Sequence, residues 1–65
     1  MAKTVFDVLI DRISDDAASA RDFLTAGSAK EYSEYREVVG LIRGLESAIM
    51  AIQDLSRNYM EDEND

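Results

Sequence analysis

The sequence lacks cysteine, histidine, proline and tryptophan, and glycine occurs only three times in 65 residues. Without cysteine the chain can form no disulfide, and without cysteine or histidine it lacks the usual ligands of a structural zinc site. Few positions are suited to a sharp turn. A chain of this length buries only about 60% of the surface that its unfolded form exposes. We therefore expect oligomerisation or a protein partner to complete the core.

Positive charge is also scarce, because seven Lys and Arg stand against fourteen Asp and Glu, a net charge of -7. This charge repels nucleic-acid phosphates and the basic residues are scattered, so we expect no direct nucleic-acid binding. No apolar run approaches the ~20 residues of a membrane span, and the N-terminus does not lead into a signal-peptide core. The sequence predicts a chain that neither enters a membrane nor is secreted by a signal peptide.

Two amphipathic stretches predict an all-α antiparallel helical hairpin. The first helix is expected over residues 4–26, with the Thr4 hydroxyl capping a free amide and Asp7 near the positive end of the helix dipole. Its apolar residues recur at spacings of three and four, as in a coiled-coil seam; they are Phe6, Ile10, Ile13, Ala17, Ala20 and Leu24. Gly27 can adopt the left-handed conformation that commonly ends a helix, and residues 28–31 match a capping box that would begin the next one.

The second helix is expected over residues 29–60 and carries two neighbouring apolar stripes. The first stripe consists of Tyr35, Val38, Ile42, Leu45, Ile49, Ile52, Ser56 and Tyr59. The second consists of Leu41, Leu45, Ala48, Ile52, Leu55 and Tyr59. Residues 61–65 place carboxylates at the negative end of the helix dipole. A hairpin of residues 1–60 is therefore predicted to be followed by an acidic tail, 61–65, that is disordered when free.

A chain that folds back at Gly27 should place residues opposite each other when their numbers sum to about 54. The first helix would then end near residue 50, and residues 51–60 would extend beyond it. Contiguous exposed apolar groups generally mark interaction sites. The overhang is therefore a candidate protein interface, for a second copy or for another protein. Its contact residues would be Ile52, Leu55, Tyr59 and Met60.

Gly40, Gly44 and Ala48 extend this candidate interface as a stripe of small residues. Each glycine within a helix costs up to about 1 kcal/mol relative to alanine, so some packing advantage is expected. One interpretation is that the glycines admit Ile10 and Ile13 of the first helix at close range. The alternative is that the stripe is a flat landing site for another chain.

Four aspartates, Asp7, Asp11, Asp15 and Asp22, lie near one face of the first helix. Like charges four residues apart destabilise a helix by a few tenths of a kcal/mol per pair. A solvated face that confers solubility accounts for them. The alternative is DNA mimicry, in which this face and the acidic tail would occupy a phosphate-binding groove. Binding of that kind would weaken steeply with added salt.

The residue types present do not predict an enzyme. Without histidine or cysteine, the available groups are carboxylates, scattered Ser, Thr and Lys, and three tyrosines. A chain this small offers no large concave core to shift their pKa values. Residues 61–65 lack the turn glycine and the spacing of a calcium-binding EF-hand loop. We therefore predict no catalytic residues, no metal site and no cofactor.

Three stretches of the chain, FLTAGSAKEYSEY, VVGLIRGLESAI and IQDLSRNYMEDE, resemble small acidic two-helix proteins encoded among the structural genes of tailed bacteriophages. The resemblance lies mainly in residues 23–59 and supplies no functional residues. It implies a non-enzymatic structural role, in which multiple copies pack against a portal, connector or capsid protein. The expected location is the virion or the cytoplasm of the infected bacterium. The alternative is an acidic inhibitor, such as an anti-defence protein, of a host nucleic-acid-binding protein.

Overall fold

The computed structural model describes residues 3–63 and contains two α-helices, α1 (Val5–Thr25) and α2 (Tyr32–Glu63). The helices pack side by side and run in opposite directions, because Phe6 near the start of α1 contacts Tyr59 near the end of α2. Most of the chain is helical, and residues 3–63 contain no strand. The predicted all-α antiparallel hairpin is therefore confirmed.

A capping box begins α1. The Thr4 hydroxyl accepts a hydrogen bond from the backbone N–H of Asp7, and the Asp7 carboxylate accepts one from the backbone N–H of Thr4, both at 3.1 Å. Two amides that the first helical turn leaves without backbone partners are thus satisfied. The predicted cap at Thr4 is correct, and Asp7 has a structural role in addition to its charge.

Gly27 ends α1 as predicted, with a backbone φ of 73°. Its N–H donates to the carbonyl of Leu24 at 3.0 Å, and the N–H of Ser28 donates to the carbonyl of Phe23 at 3.1 Å. This pair of bonds is the Schellman motif, which requires one residue in the left-handed conformation. Glycine adopts that conformation without the steric cost that a Cβ would impose.

The start of α2 differs from the prediction, because the helix begins at Tyr32 and not near residue 29. No hydrogen bond joins Ser28 to Glu31 within residues 3–63, so the predicted capping box is wrong. The Ser28 amide is already used to close α1. Instead, the Glu34 carboxylate accepts a hydrogen bond from the backbone N–H of Lys30 at 2.9 Å.

At its other end, α2 continues to Glu63, three residues beyond the predicted boundary. The first three residues of the expected acidic tail thus belong to the helix. Residues 64 and 65 lie outside the described residues. The disorder of the tail in the free chain stays a prediction.

The register of the two helices also differs from the prediction. Phe6 and Tyr59 have ring centroids 5.8 Å apart, and Arg21 forms an ion pair with Glu46, so the numbers of facing residues sum to 65 and 67. The expected sum of about 54 assumed a tight turn at Gly27. The observed connection has six residues, 26–31, and an extended segment of that length can span about 20 Å. It allows α2 to begin well beyond the end of α1.

This register moves the overhang to the opposite end of α2. Every residue from 30 to 37 is exposed, because α1 ends at the level of about residue 41 of α2. By contrast, Ile52 and Ser56 are half-buried and Tyr59 contacts Phe6. The prediction that residues 51–60 extend beyond α1 is therefore wrong as far as Tyr59. The side chain of Met60 lies outside the described residues.

The core is a narrow seam between the helices. All six predicted seam residues of α1 are buried or half-buried, and Ala17 is only 2% exposed. Facing them on α2 are the middle six residues of the first predicted stripe, whereas its terminal tyrosines are exposed. Only Ala17, Ala20 and Ile42 are buried, and no large side chain is fully buried within the described residues. A core of this size leaves much apolar surface in water.

Gly27→Ala is expected to lower the free energy of unfolding by about 1 kcal/mol, since alanine is disfavoured at positive φ. The matched control is Gly40→Ala, which should raise it by up to about 1 kcal/mol, the helix-propensity difference. A Cβ at either position meets no atom within 4 Å, so only the backbone conformation distinguishes the sites. Urea unfolding followed by circular dichroism measures both changes. A neutral Gly27→Ala would contradict the left-handed turn.

Phe6→Leu and Tyr59→Leu should show a coupling energy of about 0.5–1.5 kcal/mol in a double-mutant cycle, the usual range for an aromatic pair. Phe6→Leu combined with Tyr35→Leu serves as the control, because Tyr35 lies at the other end of the hairpin, and those changes should add. All unfolding curves are recorded at one chain concentration. Additive effects of Phe6→Leu and Tyr59→Leu would mean that the observed register is incorrect.

Candidate protein-binding face

The two glycines of the small-residue stripe do not make room for α1. Gly40 and Gly44 are exposed, and a Cβ added at either would meet no heavy atom within 4 Å. The interpretation that they admit Ile10 and Ile13 is therefore wrong, because the seam lies on another side of α2. The alternative, a landing site for another chain, stays a prediction. Ala48, the third member of the stripe, is half-buried.

One side of the hairpin is apolar. A shallow groove on this side is lined by Asp16, Ser19, Ala20, Phe23, Val38 and Leu41, so Phe23 of α1 and Leu41 of α2 share it. Helical periodicity extends the same side along α2 through the second predicted stripe, and along α1 to Leu9, fourteen residues before Phe23. We define the apolar face as Leu9, Phe23, Leu41, Gly44, Ala48, Leu55 and Tyr59.

The large side chains of the apolar face are substantially exposed. Leu41 is 54%, Leu55 57% and Tyr59 52% accessible to solvent. Between Leu41 and Tyr59 no charged residue occurs at the positions of this stripe, which covers five turns of α2. Leu45 and Ile52 are half-buried beneath it, where the two stripes of α2 overlap. Apolar surface that is continuous over this length is typical of a protein-binding site.

The opposite side of the hairpin, called the polar side below, carries charged residues next to apolar ones. Its groove is lined by Ser14, Ala17, Arg21, Glu46, Ile49 and Met50, and the ion pair between Arg21 and Glu46 bridges the two helices there. Two large apolar side chains, Ile49 and Met50, also line this groove, and Met50 is 66% exposed. The two sides of the hairpin therefore differ in character, although both belong to one layer of helices.

The four predicted acidic residues are exposed on the outer surface of α1. Asp7 is held by the capping box, and Asp11 forms an ion pair with Lys3 at 2.5 Å. The hydrogen bond and the charge of Asp11 raise the pKa of the Lys3 ammonium above its ordinary value. Two of the four carboxylates thus have local partners, and Asp15 and Asp22 are exposed, as the interpretation of a solvated face requires. DNA mimicry stays a prediction.

A cluster of tyrosine and arginine near the start of α2 was not anticipated from the sequence. The rings of Tyr32 and Tyr35 stack with centroids 6.2 Å apart, and the Arg36 guanidinium lies 6.0 Å from the centre of the Tyr32 ring. Val39, Gly40 and Arg43 line the same open groove. The spacing of Tyr32, Tyr35 and Arg36 places them on one helix face. The sequence contains this spacing, but the expected register placed these residues beside α1 and not on a free part of α2.

The described residues form no enclosed chemical site. No polar or charged side chain of residues 3–59 is buried, and the described residues contain no group of three or more carboxylates that could hold a metal ion. Neither helix, over its described part, has a stretch long and apolar enough to cross a membrane. The feature that stands out is the exposed apolar surface.

Comparisons with protein-family models, characterised proteins and solved structures find no match to this chain.

Proposed function

We propose that the chain is a non-enzymatic interaction protein that buries its apolar face against another protein surface. The observation that carries this proposal is the uncharged stripe from Leu41 to Tyr59, whose large side chains are about half exposed. Completing the burial of one such leucine contributes on the order of 1 kcal/mol. Several of them in one stripe favour association without any chemistry at a catalytic centre.

The biological setting that we propose is a tailed bacteriophage, where the chain is a small virion or assembly component present in multiple copies. This part of the proposal is supported by the resemblance of residues 23–59 to small acidic proteins encoded among phage structural genes. Its binding surface would be part of a portal, connector or capsid protein. A hairpin with one apolar and one polar side is suited to such packing, because one side is covered while the other faces water.

The alternative is an acidic inhibitor that occupies the nucleic-acid-binding site of a host protein. The net charge of -7 and the exposed carboxylates of Asp15 and Asp22 on α1 favour it. The two functions use different surfaces and respond differently to salt. Burial of the apolar face should resist added salt, whereas binding through the acidic surface should weaken as salt screens the charges.

Leu55→Gln is expected to lower the amount of the chain in purified particles of the encoding phage at least tenfold, because a buried amide without partners costs about 1–3 kcal/mol. Met50→Gln is the matched control: it is exposed to a similar degree but lies on the polar side, so incorporation should not change. Quantitative mass spectrometry measures both variants against the native chain, and circular dichroism checks that each is helical.

The absence of the native chain from purified particles would overturn the virion role. Equal losses for Leu55→Gln and Met50→Gln would show that the apolar face is not the binding surface. Incorporation that survives washing in 0.5 M salt supports the apolar contact, while release by salt favours the acidic alternative.

A further inference from the structure

We infer that the apolar face is covered by a second copy of this chain, in a two-fold symmetric pair that forms a four-helix bundle. This inference rests on the proposed function in that it uses the same apolar face, but it names a second copy, in place of a portal, connector or capsid protein, as the occupant of that face. The pair, and not the single hairpin, would then be the unit that enters a larger assembly. Four features support it: the excess surface of the hairpin, its shape, the charges on its apolar side, and the sizes of the residues along α2.

The hairpin exposes more surface than a compact protein of its mass. Its accessible surface is 5266 Å², whereas the scaling relation for folded monomers gives roughly 4,200 Å² for 7.3 kDa. If each copy covers that excess of about 1,100 Å², the pair buries roughly 2,200 Å² in total. This is the size range in which obligate homodimer interfaces begin. An interface of that size with one further copy would bring the chain to the surface expected for its mass.

The shape of the hairpin leads to the same conclusion. Its Cα atoms extend over 52 × 20 × 11 Å, so it is a single layer of helices. A second layer packed at the usual interaxial distance of 8–10 Å would increase the shortest dimension to about 20 Å. The cross-section would then be close to square, as in a four-helix bundle.

The charged residues on the apolar side of one copy are complementary to the same residues of a second copy. Asp16 lines the groove with Phe23 and Leu41, and Arg12 lies one turn before it on α1. Neither residue belongs to an ion pair within residues 3–59. In an interface with two-fold symmetry, residue i of one copy meets residue j of the other, and the reverse also holds. Antiparallel packing of α1 on its symmetry mate would pair Arg12 with Asp16 twice, about an axis at the level of residue 14.

The residue sizes along α2 fit the same axis. Gly44 and Ala48 are small and lie four residues apart, and Leu55 and Tyr59 are large and have the same spacing. Antiparallel packing of α2 on its symmetry mate would place Gly44 opposite Tyr59 and Ala48 opposite Leu55, about an axis between residues 51 and 52. Large side chains would thus meet small ones, as interdigitated packing requires.

The two positions of the axis agree with the fold of the single hairpin. The level of residue 14 on α1 corresponds to residues 51–53 on α2, because the observed contacts have residue numbers that sum to 65 and 67. The charges on α1 and the residue sizes on α2 therefore define one axis independently. A hairpin with the register expected from its sequence would not bring them to the same level.

Sedimentation equilibrium of the full chain is the first test, and it should give a particle of twice the 7.3 kDa chain mass at micromolar concentration. Gly44→Leu should weaken the pair at least tenfold by filling the space for Tyr59 of the second copy. The hairpin itself should still fold, because the site is open within one chain. Ala18→Leu, on the exposed outer surface of α1, is the control and should not change the association.

Charge exchange tests the arrangement of the two copies. Asp16→Arg and Arg12→Asp should each weaken self-association at least tenfold at low salt, because each places like charges together twice. An equimolar mixture of the two variants should recover the association, since every charge then meets its opposite. If each substitution weakened the association only through an effect within its own chain, mixing the two variants would not restore it. A failure of rescue would overturn the antiparallel arrangement.

A native chain that remains monomeric at 100 µM, or that forms a trimer or larger closed oligomer, would overturn the pair. In that case a continuing effect of Leu55→Gln on phage incorporation would leave the proposed function intact. If the chain forms a stable pair but is absent from particles, the result supports a second copy as the occupant of the apolar face. The same result contradicts the virion role.

Discussion

A hairpin of two helices is one layer thick, and each helix can bury only the residues that face the other. This constraint governs the rest of the molecule. In α1 the apolar residues form mainly one stripe, and the seam covers it. In α2 they form two overlapping stripes, and the seam covers most of the first, including the shared residues Leu45 and Ile52. Leu41, Leu55 and Tyr59 of the second stripe therefore remain about half exposed however well the hairpin folds, and their burial requires another surface.

Local signals in the sequence predicted both ends of α1, whereas the capping-box pattern at residues 28–31 did not form and α2 begins at Tyr32. The cap at Thr4 and the left-handed Gly27 each depend on a few neighbouring residues, and both were predicted correctly. The seam of α1 follows from periodicity, which identifies the buried side of a helix without reference to its partner. The register was wrong because it depends on the path of residues 26–31, where apolar periodicity carries no information.

That error also explains what was right and wrong about the candidate site. The sequence predicts Leu55 and Tyr59 as contact residues because they should extend beyond α1, yet they lie beside it and are exposed for a different reason. The useful signal was the second stripe of α2, which was present in the sequence but was not treated as a separate surface. The contribution of Phe23 to that surface could not be predicted, because it depends on which side of α1 lies next to Leu41.

The distribution of charge limits how far association can proceed. Most of the negative charge belongs to residues outside the apolar face, including the four aspartates on the outer surface of α1, while Arg12 and Asp16 balance each other on the apolar side. Two copies that meet through their apolar faces would keep these aspartates outside, where water and salt screen their repulsion. A third layer would have to approach the polar side and remove the charged groups of Arg21 and Glu46 from water, which is costly. The same distribution thus favours a closed pair over continued stacking of hairpins.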